Sequence, residues 1–192
     1  MVVIGICGFQ GSGKDTLANI LIEKYGFTKL SFASAVKDSA ASIFSWDRKL
    51  LEGDTKESRE WREQPDKWWS EKFGKEFSPR LALQLMGTEA GRDVFHPDLW
   101  VHTVMRRCEN APYHNYVIAD VRFPNEIDMI HSEGGILIEV QRGIQPHWVS
   151  VAAKANRGDH KAVKFMHDSG IHESEWRRIG AEVDYTIDNN GT

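Results

Sequence analysis

An α/β fold with a parallel sheet flanked by helices is what this sequence predicts, on three observations. Short apolar runs at residues 2–7, 116–119, 136–140 and 183–187, with a weaker one at 28–32, read as buried strands. Helical periodicity fills the intervals between them, which is the β-α-β-α order of a parallel sheet. The first run also closes on a glycine-rich turn that leads straight into helical spacing, Leu17-Ala18-Asn19-Ile20-Leu21-Ile22. The 192 residues, 41% of them hydrophobic, suit one domain spanning 1–192 with a full core.

The turn after the first strand is Gly8-Phe9-Gln10-Gly11-Ser12-Gly13-Lys14-Asp15-Thr16. A glycine, four residues and then Gly-Lys is phosphate-loop spacing. Glycines let backbone N–H groups approach phosphate oxygens, the helix dipole favours negative charge, and Lys14 adds a mobile positive charge. Gly11, Ser12, Gly13, Lys14, Asp15 and Thr16 are therefore the candidate residues for holding a phosphorylated ligand. The residue after the lysine is usually Ser or Thr, whose hydroxyl binds Mg²⁺, and here it is Asp15. A carboxylate beside triphosphate is repelled unless a divalent cation lies between them. Asp15 is thus either a hard oxygen ligand, direct or through water, or tied to a neighbouring basic group. Thr16 keeps a hydroxyl one residue later. A dinucleotide-binding reading fails, because the glycines do not fall at G-x-G-x-x-G after the strand.

Over residues 47–77 the sequence changes character. Acids and bases alternate densely around Trp61, Trp68, Trp69, Phe73 and Phe77, which reads as a helical insert with its own small aromatic core. Ser78-Pro79 then has the form of an N-cap followed by proline at the first helical position. In the helix that follows, Arg80, Gln84, Thr88 and Arg92 stand four apart and form one polar stripe, while Leu81, Leu85 and Met86 can face the core. Gly87 and Gly91 border the stripe and lower helix propensity, as a close backbone approach would require. Arginines, an amide, a hydroxyl and bare glycines favour an anion-binding face over a solvated one.

The second strong strand ends in Ala119-Asp120-Val121-Arg122-Phe123-Pro124-Asn125-Glu126. An acid at the carboxyl end of a parallel strand sits where such sheets bind ligands. Asp120 is placed to hold a metal's water shell or an acceptor hydroxyl, and Arg122 to neutralise phosphate in transfer; Asp120 can equally cap the helix opening near Pro124. From residue 142 a long stretch lacks strand signals. Arg142, Lys154, Arg157, Lys161 and Lys164 face only Asp159 through residue 166, which suits a mobile basic lid over 142–175. His172-Glu173-Ser174-Glu175 precedes a short helix that Ser174 is placed to cap.

Bulk composition narrows the partners. The net charge is −4 and the pI about 6.1, so a nucleic-acid polymer is not expected. Cys7 and Cys108, the only two cysteines, have no paired spacing and read as reduced thiols. The first apolar run has no basic flank and is too short for a signal peptide or a membrane span, so the cytoplasm is expected and a membrane partner is not. Oligomeric state is not legible, and a homodimer stays open.

Together these pieces resemble the deoxynucleoside monophosphate kinases of bacteriophages, related to other P-loop nucleotide kinases. The resemblance rests on Gly-Lys-Asp-Thr at 13–16, Ala35-Val36-Lys37-Asp38, Arg80 through Gln84 to Gly87-Thr88, and Trp100. It continues through Asp120-Val121-Arg122 and His172-Glu173-Ser174-Glu175 to Ile187-Asp188-Asn189-Asn190-Gly191. The insert matches only loosely. In that family Asp follows the P-loop lysine. The resemblance implies a P-loop kinase-like fold acting in the cytoplasm, that of the host if phage-encoded, with ATP as donor and Mg²⁺ as cofactor. Lys14 and the loop glycines would hold ATP, and Asp15 or Thr16 the metal. Lys37, Arg80, Gln84, Gly87, Thr88 and Trp100 would surround the acceptor monophosphate, with Asp120, Arg122, Asn125, Glu126 and Arg142 nearby; Lys14, Arg122 and Asp120 would be catalytic. Such kinases usually continue past the Asn-Asn-Gly turn into a final helix, whereas this sequence stops at Thr192, which bears on contacts to the donor base. The alternatives are a P-loop kinase for another small phosphorylated acceptor, such as dephospho-coenzyme A or phosphomevalonate, and a GTPase-like switch. The latter needs an Asn-Lys-x-Asp element, which Val36-Lys37-Asp38 does not supply.

Overall fold

Strict alternation of side chains along the first strand decides how the sheet is covered. The structure, a computed structural model, describes residues 1–191, and Thr192 lies outside them. Two units emerge, Met1–Ser31 with the chain from Arg106 onward, and Phe32–Met105. The first holds the sheet: β1 (Val3–Cys7), β2 (Thr28–Leu30), β3 (Tyr116–Ile118), β4 (Ile136–Gln141) and β5 (Tyr185–Asp188), all parallel, in the order β2-β3-β1-β4-β5. Ile4 and Ile6 point to one face, where Ala18, Leu17, Leu21 and Ile22 of α1 (Lys14–Tyr25) meet them together with Val117 and Ala119. Gly5 points to the other, toward Ile130 of α7 (Pro124–Ser132) and Leu137. Val3, Ile6, Val117, Ile118, Ile130 and Leu137 are fully buried. Each such side chain contributes roughly 1.5–3 kcal/mol of transfer free energy.

The strand boundaries follow from local chemistry. β5 starts at Tyr185, two residues later than the apolar run, because Asp184 is spent before it. Its Oδ2 accepts Leu137 N–H at 2.7 Å and pairs with His131 at 3.1 Å, and these contacts hold its carboxyl below the usual range. The stretch after β4, without strand signals, is helical: α8 (Val149–Asn156), α9 (His160–Asp168) and α10 (Glu173–Trp176). Ala152, Ala155, Ala162 and Met166 close around the buried Trp176. Asn156 ties the group together by donating to the carbonyls of Trp176 and Ile179, at 2.9 and 2.8 Å.

The second unit is helical. It comprises α2 (Ser34–Phe44), α3 (Lys56–Glu63), α4 (Lys67–Phe73), α5 (Pro79–Leu85), a π-helix (Met86–Phe95) and the start of α6 (Leu99–Asn110). Its core is Ala40, Trp46, Leu51, Phe77 and Ala82, with Phe44, Trp61 and Trp69 packed against them. Phe44 stacks on Trp46 at 4.5 Å, and Trp69 meets Phe44 edge-on at 5.1 Å. Asp66 serves two of these tryptophans, accepting Trp46 Nε1–H at 2.8 Å and the Trp69 backbone N–H at 3.0 Å. Trp68 and Phe73 remain exposed. Ser78 caps α5 as its sequence expects, with Oγ accepting Leu81 N–H at 3.2 Å.

One expectation is corrected here. The single α-helix expected beyond Ser78 changes to π-helical turns at Met86. An i→i+5 turn takes more residues than an α-turn, so a residue four positions on falls short of its predecessor instead of passing it. Arg80 and Gln84 therefore lie on the α-helix, and Thr88 and Arg92 on the π-helix. Trp100 accompanies the switch: its Nε1–H donates to the Gly87 carbonyl at 2.7 Å. A Cβ on Gly91 would lie 2.4 Å from Trp100 Cζ2. Gly91 thus makes room for the indole, whereas Gly87 opens on space, with nothing among the described residues within 4 Å of where its Cβ would be.

Candidate active site

In the first unit, parallel pairing of β1 with β3 brings the two ligand-bearing strand ends to one edge of the sheet. The turn after β1 requires glycine at its first position. Gly8 has φ 143°, and a Cβ there would come within 2.3 Å of the Val140 carbonyl oxygen. Gly13, at φ 106°, caps α1, and the carbonyl of its neighbour Ser12 accepts a hydrogen bond from Asn189 Nδ2–H at 2.8 Å. The Ser12 hydroxyl is buried with no hydrogen-bond partner among the described residues. A phosphate oxygen at this turn would supply one.

Lys14 folds back over the loop, with Nζ donating to the Phe9 carbonyl at 2.9 Å. Burial first, and then Arg122, lowers its pKa below the ordinary lysine value. Asp15 and Thr16 are exposed on the first turn of α1. Asp15 pairs only loosely with Lys29, at 3.9 Å with both side chains in solvent, so that carboxylate stays accessible. A carboxylate and a hydroxyl there are hard oxygen donors that fit Mg²⁺. Behind the loop, Arg178 is buried in a 3.1 Å ion pair with Glu139, and its guanidinium lies 4.7 Å over the Phe9 ring. Burial pushes the neighbouring Cys7 thiol up to about 11, so it stays protonated. Both cysteines are buried and free.

At the end of β3, Asp120 accepts a hydrogen bond from Ser31 Oγ at 2.7 Å. Glu126 completes the capping box that opens α7. That side chain is buried, and its Oε2 accepts the backbone N–H groups of Arg122 at 2.6 Å and Phe123 at 3.0 Å. Asn125 is half-buried on the first turn of α7. The Arg122 guanidinium pairs with Glu175 at 2.8 Å and reaches Ser174 Oγ at 3.3 Å. Ser174 does not cap α10; His172 does, its Nδ1 accepting Ser174 N–H at 3.3 Å. Arg142 is exposed just beyond β4, and the next residue, Gly143, donates to Asn190 Oδ1 at 2.6 Å.

The second unit carries its own polar set on adjoining elements α2, α5 and the π-helix. Lys37 forms a 2.6 Å ion pair with Glu52, which Arg48 also engages. Arg80 lies 3.9 Å from Glu63, and Gln84 and Thr88 are half-buried. Trp100 is held by Gly87 as described. Glu52, Glu139, Ser31 and Arg178 were not singled out from the sequence. Each acts through a partner far along the chain, and an isolated Glu or Ser carries no local signal of that. Ser174 and Glu175 lie inside a recognised motif that carried no expected site role, and Asn189 lies in the turn expected to bear on the donor base.

No family model matches the chain. A protein of Acanthamoeba polyphaga mimivirus, named a deoxynucleotide monophosphate kinase, is 36% identical over 156 residues, spanning 74% of this chain and 75% of that protein. The deoxynucleoside-5′-monophosphate kinase of Escherichia phage T5 is 29% identical over 178 residues, spanning 67% and 71%. Among solved structures, a shikimate kinase from Bacteroides thetaiotaomicron aligns over 97% of this chain and 86% of its own, at 14% identity and a TM-score of 0.42, a likeness too slight to carry an argument. The phosphate loop, the Asp120–Arg122 strand end and the identity to the mimivirus protein agree, and the chain belongs to the deoxynucleoside monophosphate kinase family.

Proposed function

We propose that this chain transfers the γ-phosphoryl group of ATP to the 5′-phosphate of a deoxynucleoside monophosphate, yielding the diphosphate, in the cytoplasm. The observation that carries the reading is the turn after β1, with its positive-φ glycines, its unpartnered buried Ser12 hydroxyl and Lys14 held over it. Phosphoryl transfer asks little covalent chemistry of a protein, so positioning and charge neutralisation supply most of the rate. Lys14 exchanges the Phe9 carbonyl for phosphate oxygens and stabilises the migrating group. Arg122, aimed by Glu175 and Ser174, offsets charge developing between donor and acceptor. Glu126 serves that arginine through its backbone and does not itself reach substrate. Asp15 and Thr16 would hold Mg²⁺, which supplies neutralisation of the phosphate oxygens. The acceptor phosphate is already an anion at neutral pH, so no general base is required.

In this reading Lys37, Arg80, Gln84, Gly87, Thr88 and Trp100 are the acceptor candidates of the second unit, and Asp120, Asn125 and Arg142 are the candidates of the first. A substrate panel under ATP and Mg²⁺ tests it. At least one deoxynucleoside monophosphate should be converted to its diphosphate, while dephospho-coenzyme A and phosphomevalonate should not react. Turnover of either of those, with none of any deoxynucleoside monophosphate, would replace the proposal.

A further inference from the structure

His96, Asp98 and His102 belong to none of the groups that handle phosphate. His96 follows the π-helix, Asp98 immediately precedes α6, and His102 lies one turn into it, its N–H bonded to the Asp98 carbonyl at 2.8 Å. Residues four apart share a helix face, which puts the Asp98 and His102 side chains together. The loop that carries His96 is held in place. Arg92 donates to the Pro97 carbonyl at 3.1 Å, and Asp98 N–H donates to His96 Nδ1 at 3.0 Å. The two imidazoles face one another with centroids 5.6 Å apart and planes 38° from parallel. One ligand atom from each of the three side chains lies within 4.8 Å of the other two.

We propose that this triad binds a divalent transition-metal ion, Zn²⁺ by preference, which ties the end of the π-helix to the first turn of α6. Two imidazole nitrogens and one carboxylate are a borderline donor set that suits Zn²⁺, Co²⁺ or Ni²⁺ and discriminates against Mg²⁺. The site therefore does not compete with the phosphate loop for its cation. Metal–ligand bonds of about 2.0–2.1 Å in a tetrahedral shell put ligand atoms ~3.3 Å apart. His96 Nδ1 and Asp98 Oδ2 stand 4.0 Å apart on side chains 57% and 39% exposed, so only a small rotation closes the shell. A cation entering between them exchanges the Asp98 N–H contact of Nδ1 for a metal bond. The Asp98 carboxylate offsets the unfavourable dipole at the helix N-terminus. With three protein ligands, the remaining position is left to solvent, which makes the site exchangeable. Trp100 sits inside the clamped stretch and grips Gly87, so the metal restrains a segment of the acceptor set without touching it.

Co²⁺ is the probe, because its visible d–d absorption reports coordination directly. The full chain, free of any polyhistidine tag, should bind one Co²⁺ saturably, with Zn²⁺ displacing it and Mg²⁺ leaving it in place. His96→Ala and His102→Ala should each weaken binding by more than the ~10-fold that loss of an outer partner costs. Asp98→Asn, which keeps a helix cap, should weaken it too. His167→Ala on α9 should bind as the parent does. The three histidines are exposed and Asp98 is half-exposed, so unchanged circular dichroism is expected throughout. No saturable Co²⁺ or Zn²⁺ binding by the parent chain, or undiminished binding in both His96→Ala and His102→Ala, overturns the proposal.

Discussion

Two charged side chains at the sheet edge share one electrostatic problem. Burial and then the Arg122 guanidinium lower the proton affinity of Lys14, while Arg122 itself pairs with Glu175. Lys14→Ala should cut kcat by on the order of a hundredfold or more, because it removes a contact to the migrating group. The thermal midpoint should change little, since its Nζ contacts only a loop carbonyl. Near-parental turnover in purified protein would take the loop out of the mechanism. Glu175→Gln should lower kcat more than it raises the KM for ATP, because the carboxylate aims Arg122 without touching donor. A double-mutant cycle with Arg122→Ala decides the matter: the two changes should be strongly non-additive, and simple additivity would make Glu175 a bystander.

The helix pair α5 and π shows how an element boundary can matter more than an element. Gly91 is forced by the indole lying on it, and Gly87 is not forced by any described neighbour. Gly91→Ala should displace Trp100, cost about 1–3 kcal/mol through overpacking, and raise the acceptor KM more than the ATP KM. Gly87→Ala should be far milder toward stability, and its effect should fall on acceptor binding. Equal stability losses from the two would mean that the indole contact is unimportant. Arg80→Ala and Thr88→Ala should likewise weaken the monophosphate more than ATP; loss of ATP affinity alone would remove the acceptor assignment.

At the level of the first unit as a whole, the segment from Arg142 to the buried Trp176 is knit to the phosphate loop by aromatic contacts. Phe9 meets Trp148 edge-on at 5.7 Å and carries the Arg178 guanidinium on its face. If the segment is a lid, phosphate beneath its basic side chains would order it. Hydrogen exchange over residues 143–166 should therefore slow when ATP and a deoxynucleoside monophosphate bind together, more than over residues 47–76. Equal protection with and without ligands, together with normal turnover by Arg142→Ala and Arg157→Ala, would reduce the segment to a solvated basic surface.

The features legible in the sequence are those whose cause is local. Gly8, Gly13 and Lys14 are set by the backbone shape of one turn, the strands by short apolar runs, and the Ser78 cap by a neighbouring N–H. What tertiary structure decided are pairings across the chain. Arg122 finds Glu175 53 residues later, and Asn189 reaches Ser12 across 177. Glu52 takes hold of Lys37, and Ser31 donates to Asp120 from 89 residues away. The change from α to π turns at Met86 belongs to the same class. The glycine propensities announce a weak helix, but the Trp100 indole that occupies the space over Gly91 comes from the next element. A hydrogen bond or ion pair between distant residues depends on strand order and helix packing. The residues themselves specify only that a partner is needed, and the fold selects which one meets it.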